Sequence, residues 1–527
     1  MTGTGLTDSY WPAHDELPLL AGSIGTLLRE RAADQGDRVA LLWPDGERIG
    51  RMSYADLRDR AERTARSLLR AAAPGHRVAV WSRNSLDWVV LQYACALAGL
   101  VLTPFNPAWT DRELEHAIAL TAPSLIFSGL DGRGVDLHDR ACALDSPAPT
   151  LRLHELGTLA DDDGPLPEVG AEAPFLIQFT SGTTGRAKGA LLSHRAALHS
   201  GYFRARNGHA GPHDVWLNPV PLHHVGGSCV MVLGALSVGG AYVVMDRFDV
   251  DALVGLLRPT GATRIGGVPT MLYALLDHPR IAEAAGGVVG VGLGGASVPP
   301  ALVDRVRIEL AAVPSIGYGQ SECPLITSTD ADDDAMTIAM TVGRPVPHTT
   351  VKIVHVGSGE VVPVGTIGEV CVRSPVMMDG YVAMPAATAD VLDPEGFLHT
   401  GDLGSMDTAG VITIHGRARE VIIRKGENIY PIEVEDALLR HQAVAAAAVL
   451  GVLDERDGQT VAAAVQLAPG STATAEELEA FVATRIAHYK VPRIWCLVEH
   501  LPLTASGKVR KLDLADLFDG PGVRPHD

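Results

Sequence analysis

The chain has 527 residues, 46% of them hydrophobic and 20% charged, which is enough for about three or four structural units and too apolar for a disordered protein. Its formal net charge of −19 argues against a nucleic-acid backbone or an anionic membrane surface as the main partner. The first residues lack a basic flank followed by an apolar core, and the apolar runs are too short to span a bilayer. We therefore expect a cytoplasmic protein with no membrane span.

The first part of the chain alternates strand and helix patterns. Short runs rich in Val and Leu predict buried strands, and a capping box from Thr110 to Glu113 opens a predicted helix. Such alternation predicts a largely parallel sheet covered by helices on both faces. The predicted strands lie at 38–43, 76–81 and 124–127, and the predicted helices at 54–73 and 110–121.

Strand–helix units continue to about residue 341, where the pattern changes. Apolar strands are predicted at 175–179, 242–245 and 288–293, within further strand–helix units. Beyond residue 341, short strands separated by turns predict a smaller β subdomain, and the last segment has strand and helix signals of its own. The six cysteines include no C-x-x-C pair and mostly lie in apolar runs, so buried free thiols are expected.

A loop rich in glycine and hydroxyl side chains follows the strand predicted at 175–179. From Thr180 to Gly185 it carries four hydroxyl residues and two glycines, and Lys188 stands just beyond. Glycines let the backbone approach a ligand closely, and small hydroxyl residues add donors, so the segment suits phosphate oxygens. Position 187 is Ala187 where a Walker A loop requires glycine, which disfavours a P-loop NTPase. On composition alone, a flexible surface loop is an equal alternative.

Four further motifs follow this loop in order: Gly317–Glu322, Thr400–Leu403, a segment from Gly416 to Pro431, and Leu503–Lys508. Together the five resemble the motifs of the adenylate-forming superfamily, which comprises acyl-CoA synthetases, peptide-synthetase adenylation domains and luciferases. The chain looks most like an acyl-CoA ligase for a fatty or other bulky acid. The resemblance implies an α/β fold with a large N-terminal domain of parallel-type sheets covered by helices, a small β subdomain, and a small mobile α+β C-terminal domain.

The resemblance also implies an ATP site. Tyr318 would stack on adenine, Ser321 would reach the α-phosphate, and Lys188 would grip the β- and γ-phosphates. Glu322 would hold Mg²⁺, because a carboxylate beside phosphates needs a cation to neutralise the pair. The expected ATP-binding residues are Ser181, Gly182, Thr183, Thr184, Gly185, Lys188, Gly295, Ala296, Tyr318, Gly319, Gln320, Ser321, Asp402, Arg417 and Lys508.

Three of these residues come from the later motifs. By resemblance, Asp402 would accept hydrogen bonds from both ribose hydroxyls, and Arg417 would make a further nucleotide contact. Lys508 would approach the carboxylate and the α-phosphate during adenylation, since a cation stabilises the meeting of two anions. The expected catalytic set is Thr183, Lys188, His224, Glu322 and Lys508.

The family forms an acyl-adenylate from ATP and then transfers the acyl group to a thiol, with its C-terminal domain in a different orientation for each step. The resemblance places the domains at 1–416 and 420–527, with a hinge at 417–419 that contains Arg419. Gly426 and Glu427 would border the tunnel for coenzyme A, where a glycine leaves room. Monomer and homodimer both stay open.

The acyl site is expected around Pro221–Ser228. Amino-acid-activating relatives carry an Asp near this segment, and no acid occurs here, so an amino acid is disfavoured. His224 resembles the gate residue over the acyl site, with a polar helix-cap histidine as the alternative. The glycines expected to leave a roomy pocket are Gly226, Gly227, Gly294, Gly295 and Gly317. A medium-to-long-chain or bulky acid is therefore expected.

The chain departs from the family pattern at three positions. Ala187 replaces the usual Pro, Ser321 replaces the usual Thr, and Arg419 replaces an Asp or Lys. A protein specialised for one half-reaction therefore stays open, as does an enzyme that loads a separate carrier protein. A luciferase-like second step and a nucleotide-binding regulator without catalysis are the remaining alternatives. The retained Glu322 and Lys508 argue against the regulator.

Overall fold

The computed structural model describes residues 5–144, 146–158, 164–180, 187–296, 298–425, 427–454, 456–502, 509–518 and 524–525. The chain divides into two units. The larger comprises residues 11–351 and 372–398, and the smaller comprises residues 1–10, 352–371 and 399–527. The domain boundary and hinge expected at 417–419 stay a prediction.

Short strands alternate with helices through most of the described chain. In chain order the strands are β1 Tyr10–Trp11, β2 Val39–Asp45, β3 Arg48–Ser53, β4 Arg77–Trp81, β5 Val101–Phe105, β6 Leu125–Ser128, β7 Thr150–Arg152, β8 Pro174–Thr180, β9 Lys188–Ser193, β10 Val215–Asn218, β11 Ala241–Val244, β12 Arg264–Gly267, β13 Gly290–Gly294, β14 Val313–Gln320, β15 Cys323–Ser328, β16 Arg344–Pro345, β17 Thr350–Val354, β18 Gly368–Arg373, β19 Gly380–Tyr381, β20 Leu398–Met406, β21 Ile412–Arg417, β22 Ile422–Arg424, β23 Glu427–Ile429, β24 Val444–Asp454, β25 Gly458–Leu467, β26 Ile494–Val498 and β27 Arg524–Pro525.

The helices are α1 Ile24–Gln35, α2 Tyr54–Leu69, α3 Leu86–Ala98, α4 Asp111–Thr121, α5 His138–Cys142, α6 His194–Asn207, α7 Leu233–Val238, α8 Val250–Thr260, α9 Pro269–Leu276, α10 Ile281–Ala284, α11 Pro300–Glu309, α12 Ala335–Met340, α13 Pro385–Ala389, α14 Pro431–Leu439 and α15 Ala475–Ala483. A π-helix runs over Gly226–Val232, and 3₁₀ turns lie at Leu153–Thr158, Ala418–Glu420, His488–Lys490 and Lys511–Leu517.

The capping box predicted at Thr110 is present at the start of α4. The Thr110 hydroxyl accepts from the Glu113 backbone amide, and the Glu113 carboxylate accepts from the Thr110 amide at 2.8 Å. Two of the amides that a helix N-terminus leaves without intrahelical partners are thereby satisfied. The helix ends at Thr121, as predicted.

The larger unit contains two sheets. A nine-stranded sheet has the order β16-β15-β14-β13-β12-β10-β11-β2-β3, and a seven-stranded sheet has the order β19-β9-β8-β5-β4-β6-β7. Their central strands pair in parallel. Antiparallel pairs close both edges of the nine-stranded sheet and the β19 edge of the seven-stranded sheet, whereas β7 pairs in parallel with β6 at the other edge. The central strands β4, β5 and β6 are buried almost throughout, as parallel strands covered on both faces should be. The predicted fold class is confirmed.

The carboxyl ends of these parallel strands position the predicted motifs. Pro221–Ser228 follows β10, Gly295 and Ala296 follow β13, and Tyr318 lies at the end of β14. The carboxyl ends of parallel strands meet at the same edge, which is where open α/β sheets bind ligands. The topology therefore gathers these segments at one edge of the nine-stranded sheet.

The smaller unit contains most of a five-stranded sheet in the order β1-β17-β18-β20-β21. It also contains a six-stranded sheet of β22 to β27, against which α14 and α15 contribute apolar residues to a shared core. These are the small β region and the α+β region that the strand pattern predicts. Leu438, Val449 and Val482 are fully buried in the second core.

The cysteines are free thiols, as expected. Four are buried, Cys496 is half-buried and Cys142 is exposed. The buried ones are Cys95, Cys229, Cys323 and Cys371. Within the described residues, the helices are too short or too polar to cross a membrane.

A buried histidine on α6 links stability to pH. His199 accepts a hydrogen bond at Nε2 from the Leu20 amide (2.9 Å) and donates from Nδ1 to the Arg195 carbonyl (2.8 Å). Burial lowers the pKa of His199 to about 4, so the folded protein keeps the ring neutral. The unfolded chain binds this proton near pH 6.5, so stability is complete above that pH and is lost as the pH falls toward 4.

We therefore predict that protonation of His199 in the unfolded chain lowers the free energy of unfolding by about 2–3 kcal/mol when the pH falls from 7.5 to 4.5. His199→Gln, which does not titrate there, should show a loss smaller by that amount, measured by urea unfolding at both pH values. His213→Gln is the matched control, since His213 is exposed. Equal pH losses in the wild type and His199→Gln would contradict the prediction.

Candidate active site

The predicted phosphate loop connects two antiparallel strands. Thr180 at the end of β8 pairs with Lys188 at the start of β9, so the two strands that flank the predicted loop form an antiparallel pair. Residues 181–186, which include the predicted Ser181 to Gly185 contacts, lie outside the described residues. The residue that follows them is held in place, because the Ala187 carbonyl lies 2.9 Å from Nε2 of His116 on α4.

A tyrosine connects the phosphate-loop lysine to the predicted metal ligand. The ammonium of Lys188 lies over the Tyr381 ring, 4.8 Å from its centroid. The Tyr381 hydroxyl donates a hydrogen bond of 2.6 Å to Oε1 of Glu322. A cation is attracted by the face of an aromatic ring, and a hydrogen bond to a carboxylate is strong, so both contacts fix geometry. Lys188 and Glu322, 134 positions apart by their numbers in the chain, are thus brought to one place.

The short strand β19 places Tyr381. Tyr381 pairs with Ala190 of β9, and the flanking Val382 amide donates to the Gly189 carbonyl at 2.9 Å. Burial, with the nearby Glu322 carboxylate, raises the pKa of the Tyr381 hydroxyl, so it remains a proton donor at neutral pH. This residue is not among those predicted from the sequence. The Gly380-Tyr381 dipeptide gives only a turn signal, and its role depends on strand pairing.

Glu322 lies in a tight connection between β14 and β15. A bulge interrupts their pairing after Tyr318, and a Cβ at Gly319 would lie 2.4 Å from the Pro324 carbonyl oxygen, so only glycine fits there. Glu322 is only 8% exposed, and its carbonyl accepts from the Met378 amide at 2.8 Å. The motif therefore holds a buried carboxylate at a fixed position, while Tyr318 and the predicted nucleotide contacts Gln320 and Ser321 remain half-exposed.

The segment after β13 faces outward at the carboxyl edge of the sheet. Gly294 ends the strand beside Gly317, and Gly295 and Ala296 follow it as exposed residues. Gly295 has a φ of 76°, a left-handed conformation that favours glycine. This backbone is accessible to a ligand at the same edge as Tyr318.

The predicted gate residue lies two residues before the π-helix. His224 accepts at Nδ1 from the Gly226 amide (3.2 Å), and its carbonyl accepts from the Ser228 amide (3.1 Å). This side-chain contact is compatible with the cap alternative, His224 is half-exposed, and its role as the gate residue stays a prediction. Its neighbour His223 has a buried Nδ1 without a partner among the described residues, and burial lowers its pKa to about 4.

The glycines that were expected to line the acyl pocket occupy their positions for different physical reasons. A Cβ at Gly227 would lie 2.3 Å from the Pro221 carbonyl oxygen, and one at Gly294 would lie 2.6 Å from the Gly317 carbonyl oxygen. Close backbone packing therefore accounts for both residues. Gly226 is in ordinary contact with its neighbours, so a side chain there has room. The roomy acyl pocket stays a prediction.

In the smaller unit, the predicted ribose ligand is paired with another predicted contact. Asp402 on β20 lies opposite Arg417 on β21, and Arg417 Nε is 3.1 Å from Asp402 Oδ1. The Asp402 carboxylate is buried, while the Arg417 side chain is 42% exposed. Both residues therefore present their charged groups at one place on the sheet.

Glu369, which was not predicted from the sequence, supports the part of β20 that leads to Asp402. The Glu369 carboxylate accepts from the Gly401 amide (3.1 Å) and lies 2.9 Å from Nδ1 of His399. The Thr400 hydroxyl donates to the Val370 carbonyl (2.7 Å) and accepts from the Asp402 amide (3.1 Å). These contacts between β18 and β20 hold the part of β20 that leads to Asp402, and no spacing in the sequence reveals them.

The remaining predicted residues lie farther along the chain. Arg419 lies in the 3₁₀ turn after β21, and Glu427 is exposed at the start of β23. Gly426 and Lys508 lie outside the described residues. Three residues beyond Lys508, Lys511 pairs with Glu420 at 3.1 Å and Glu435 at 2.8 Å.

Known enzymes resemble this chain in sequence and in structure. The AMP-binding enzyme family matches residues 28–382, and the AMP-binding enzyme C-terminal domain matches residues 433–508. The chain is 32% identical to the mitochondrial medium-chain acyl-CoA ligase of Rattus norvegicus, covering 97% of this chain and 90% of that one. It is 33% identical to a methyl-dioxo-octahydro-indenyl propanoyl:CoA ligase of Rhodococcus jostii (strain RHA1), covering 92% and 96%. The ATP-bound structure of MatB from Rhodopseudomonas palustris is 28% identical and superposes with a TM-score of 0.86, covering 94% of this chain and 99% of that one.

Proposed function

The chain belongs to the family of AMP-binding, or adenylate-forming, enzymes, and from that premise we propose that it joins a carboxylic acid to coenzyme A at the expense of ATP. The observation that carries this proposal is the contact of Lys188 with Tyr381 and of Tyr381 with Glu322. These contacts support the proposal because they bring a cation and a buried carboxylate together, and Lys188 stands just beyond the predicted phosphate loop in the sequence. Two relatives that span nearly the whole chain are named as ligases to CoA, which favours CoA over a carrier protein as acceptor.

Glu322 suits a magnesium ion. Its carboxylate is 8% exposed, one oxygen accepts from Tyr381, and hard oxygen donors are what Mg²⁺ prefers. When bound with ATP, the ion supplies charge neutralisation on the phosphates. Lys188 adds a second positive charge, and Tyr381 fixes its position. Tyr318 provides a ring for adenine, and Asp402 with Arg417 provides hydrogen-bonding groups for the ribose.

In the first half-reaction, an oxygen of the acid attacks the α-phosphorus of ATP and pyrophosphate leaves. The residues of the chain position and neutralise the reacting groups, with no covalent intermediate on the protein. Ser321 and Lys508 contact the α-phosphate, and Lys188 stabilises the departing phosphates. His224 lies at the start of the acyl site and separates it from solvent.

In the second half-reaction, the CoA thiol attacks the acyl carbon of the adenylate. The bond from that carbon to the bridging oxygen breaks, and AMP leaves with this oxygen. The two steps use two orientations of the C-terminal region about the hinge at 417–419. Gly426 and Glu427 border the thiol tunnel in the second orientation. The acid is medium-to-long-chain or bulky, and it is not an amino acid, because Pro221–Ser228 offers no carboxylate for an amine.

The proposal is tested by pyrophosphate exchange into ATP with a panel of acids, followed by addition of CoA. We expect exchange with medium-chain or bulky acids in the absence of CoA, and release of AMP with equal thioester once CoA is present. Exchange without CoA-dependent thioester would indicate a carrier protein as acceptor. Preference for acetate would contradict the substrate class, and no exchange with any acid would contradict the first half-reaction.

Tyr381→Phe tests the contact that carries the proposal. The ring under Lys188 is retained, but Glu322 loses a hydrogen bond to a buried charge, which is worth about 1.5–3 kcal/mol. We expect the Mg²⁺ concentration that half-saturates pyrophosphate exchange to rise roughly tenfold or more. Thioester formation from a supplied acyl-adenylate should stay close to that of the wild type.

Tyr273→Phe is the control for this change. Tyr273 is half-buried, whereas Tyr381 is buried, and the surroundings of Tyr273 include Arg305 and Asp277 rather than the predicted site. Removal of its hydroxyl should leave the Mg²⁺ dependence unchanged. If Tyr381→Phe also leaves it unchanged, Tyr381 does not position a metal ligand.

A further inference from the structure

One face of the nine-stranded sheet carries glycines in neighbouring strands. Gly266 on β12 pairs with Gly292 on β13. Two residues farther along β13, Gly294 pairs with Gly317 on β14. Residues paired across parallel strands and positions two apart point to the same face. A side chain at Gly266 would meet Met231, and one at Gly292 or Gly317 would meet the same arginine on α6. We call this surface the glycine face.

That arginine is Arg204, whose guanidinium lies over the glycine face. Its Nη2 is 3.2 Å from the Cβ position of Gly292, and its Cζ is 3.6 Å from that of Gly317. The side chain donates to the Ser328 hydroxyl (2.8 Å) and to the Ser315 carbonyl (2.7 Å). Through these bonds to neutral acceptors, Arg204 connects α6 to β14 and β15. This connection is the structural role that Arg204 can have.

The charge of Arg204 is not balanced. Arg204 is 8% exposed, and no carboxylate of the described residues lies within ion-pair distance of it. Burial, and the like charge of Arg264, lower the pKa of Arg204 to about 10, so it stays protonated at neutral pH. Arg264 itself is paired, with Nε 3.2 Å from Asp214 Oδ1. A buried cation without a counter-ion is unfavourable, and a connection between helix and sheet alone does not require one.

A second polar side chain lies on the same face, one strand beyond Gly266. Asn218 is fully buried, and its Oδ1 accepts from the Val220 amide (3.0 Å) and lies 3.3 Å from the Cβ position of Gly266. Its side chain also interacts with the Tyr242 hydroxyl. The Asn218 atom beside the glycine face is therefore an acceptor, and Arg204 supplies the donors there.

We propose that Arg204 binds an oxygen at the far end of the acyl substrate, and that the acid is an oxo acid or a dicarboxylic acid rather than a plain fatty acid. The inference rests on the proposed function, because Gly294 and Gly317 of the glycine face belong to the predicted acyl site. The guanidinium supplies two parallel donors and a charge, which suit a carboxylate best and a ketone next. An all-apolar tail would leave the buried guanidinium charge without a counter-ion.

The test compares three acids of equal chain length: octanoate, octanoate with a ketone at the penultimate carbon, and octanedioate. We expect kcat/KM for CoA thioester formation to be at least about tenfold higher for the two oxygen-bearing acids, since sites built to bind a polar group reject analogues that lack it. Arg204→Met should abolish this preference while keeping or improving activity on octanoate. Arg206→Met, at a more exposed position of the same helix, should leave the preference unchanged.

Arg204→Gln separates binding from a structural role. Glutamine can keep hydrogen bonds to Ser328 and Ser315 without the charge, so the diacid should lose its advantage while the oxo acid keeps part of it. This variant also decides the matter if Arg204→Met does not fold. Equal kcat/KM for the three acids in the wild type, or a preference that both Arg204 variants retain, would overturn the inference. Absence of thioester with every acid would instead overturn the proposed function.

Discussion

Replacement of Lys508 by alanine is expected to slow acyl-adenylate formation by about a hundred- to a thousandfold, the usual cost of removing one group that stabilises transition-state charge. In the proposed first half-reaction a carboxylate meets the α-phosphate of ATP, and we expect the cation to offset their repulsion. The proposed second half-reaction joins a thiol to a carbonyl carbon, and we do not expect it to need this cation. Thioester formation from a supplied acyl-adenylate should therefore fall far less.

Two assays on the same preparation test this prediction, namely acid-dependent pyrophosphate exchange and thioester formation from a synthetic adenylate. Arg510→Ala is the matched control, because Arg510 is a nearby cation whose side chain is 57% exposed. It should be close to the wild type in both assays. Equal losses of both activities in Lys508→Ala would contradict the alternation of the C-terminal region between two orientations.

Replacement of Glu322 by glutamine is expected to reduce pyrophosphate exchange by about a hundredfold or more, and to raise the Mg²⁺ requirement. Glutamine keeps the shape and can still accept from Tyr381, so the change removes charge and little else. A buried neutral amide no longer attracts the cation. Thioester formation from a supplied adenylate, which involves no pyrophosphate, should be retained.

Glu309→Gln serves as the control for this charge removal. Glu309 is a carboxylate on α11 that pairs with Arg305, and its side chain is 37% exposed. Its loss should leave the Mg²⁺ dependence of exchange unchanged. A normal Mg²⁺ dependence in Glu322→Gln would show that another group holds the ion.

Local patterns predict much of the fold. The apolar run at 175–179 is found as β8, and the capping box at Thr110 opens α4. Such elements are predictable because burial and cap hydrogen bonds act within a few residues. The motif order also locates Glu322 and Asp402. The structure holds both as buried carboxylates, Glu322 in the connection between β14 and β15 and Asp402 on β20.

Contacts between distant residues are what the sequence does not reveal. Tyr381 lies 59 positions from Glu322, and it reaches that carboxylate only because β19 pairs with β9. The Glu369 support of Gly401 similarly depends on the pairing of β18 with β20. Strand register is a tertiary property, and a shift of one residue would turn each of these side chains to the opposite face.

Glycines show the same limit. Gly294 and Gly317 are expected from the sequence to widen a pocket, but a glycine can also mark close backbone approach. At Gly294 the neighbouring Gly317 carbonyl accounts for the residue. At Gly292, which was not predicted from the sequence, the missing side chain leaves room for the guanidinium of Arg204. Only the cross-strand register separates these two reasons.

The central claim is that the acid is activated as an acyl-adenylate, and the fate of the carboxylate oxygen tests it most directly. The acid is labelled with heavy oxygen in its carboxylate, incubated with ATP, Mg²⁺ and CoA, and the nucleotide product is analysed by mass spectrometry. We predict AMP with one labelled oxygen on its phosphate, because the bridging oxygen of the adenylate leaves with AMP. Unlabelled AMP, or formation of ADP together with labelled inorganic phosphate, would contradict the claim.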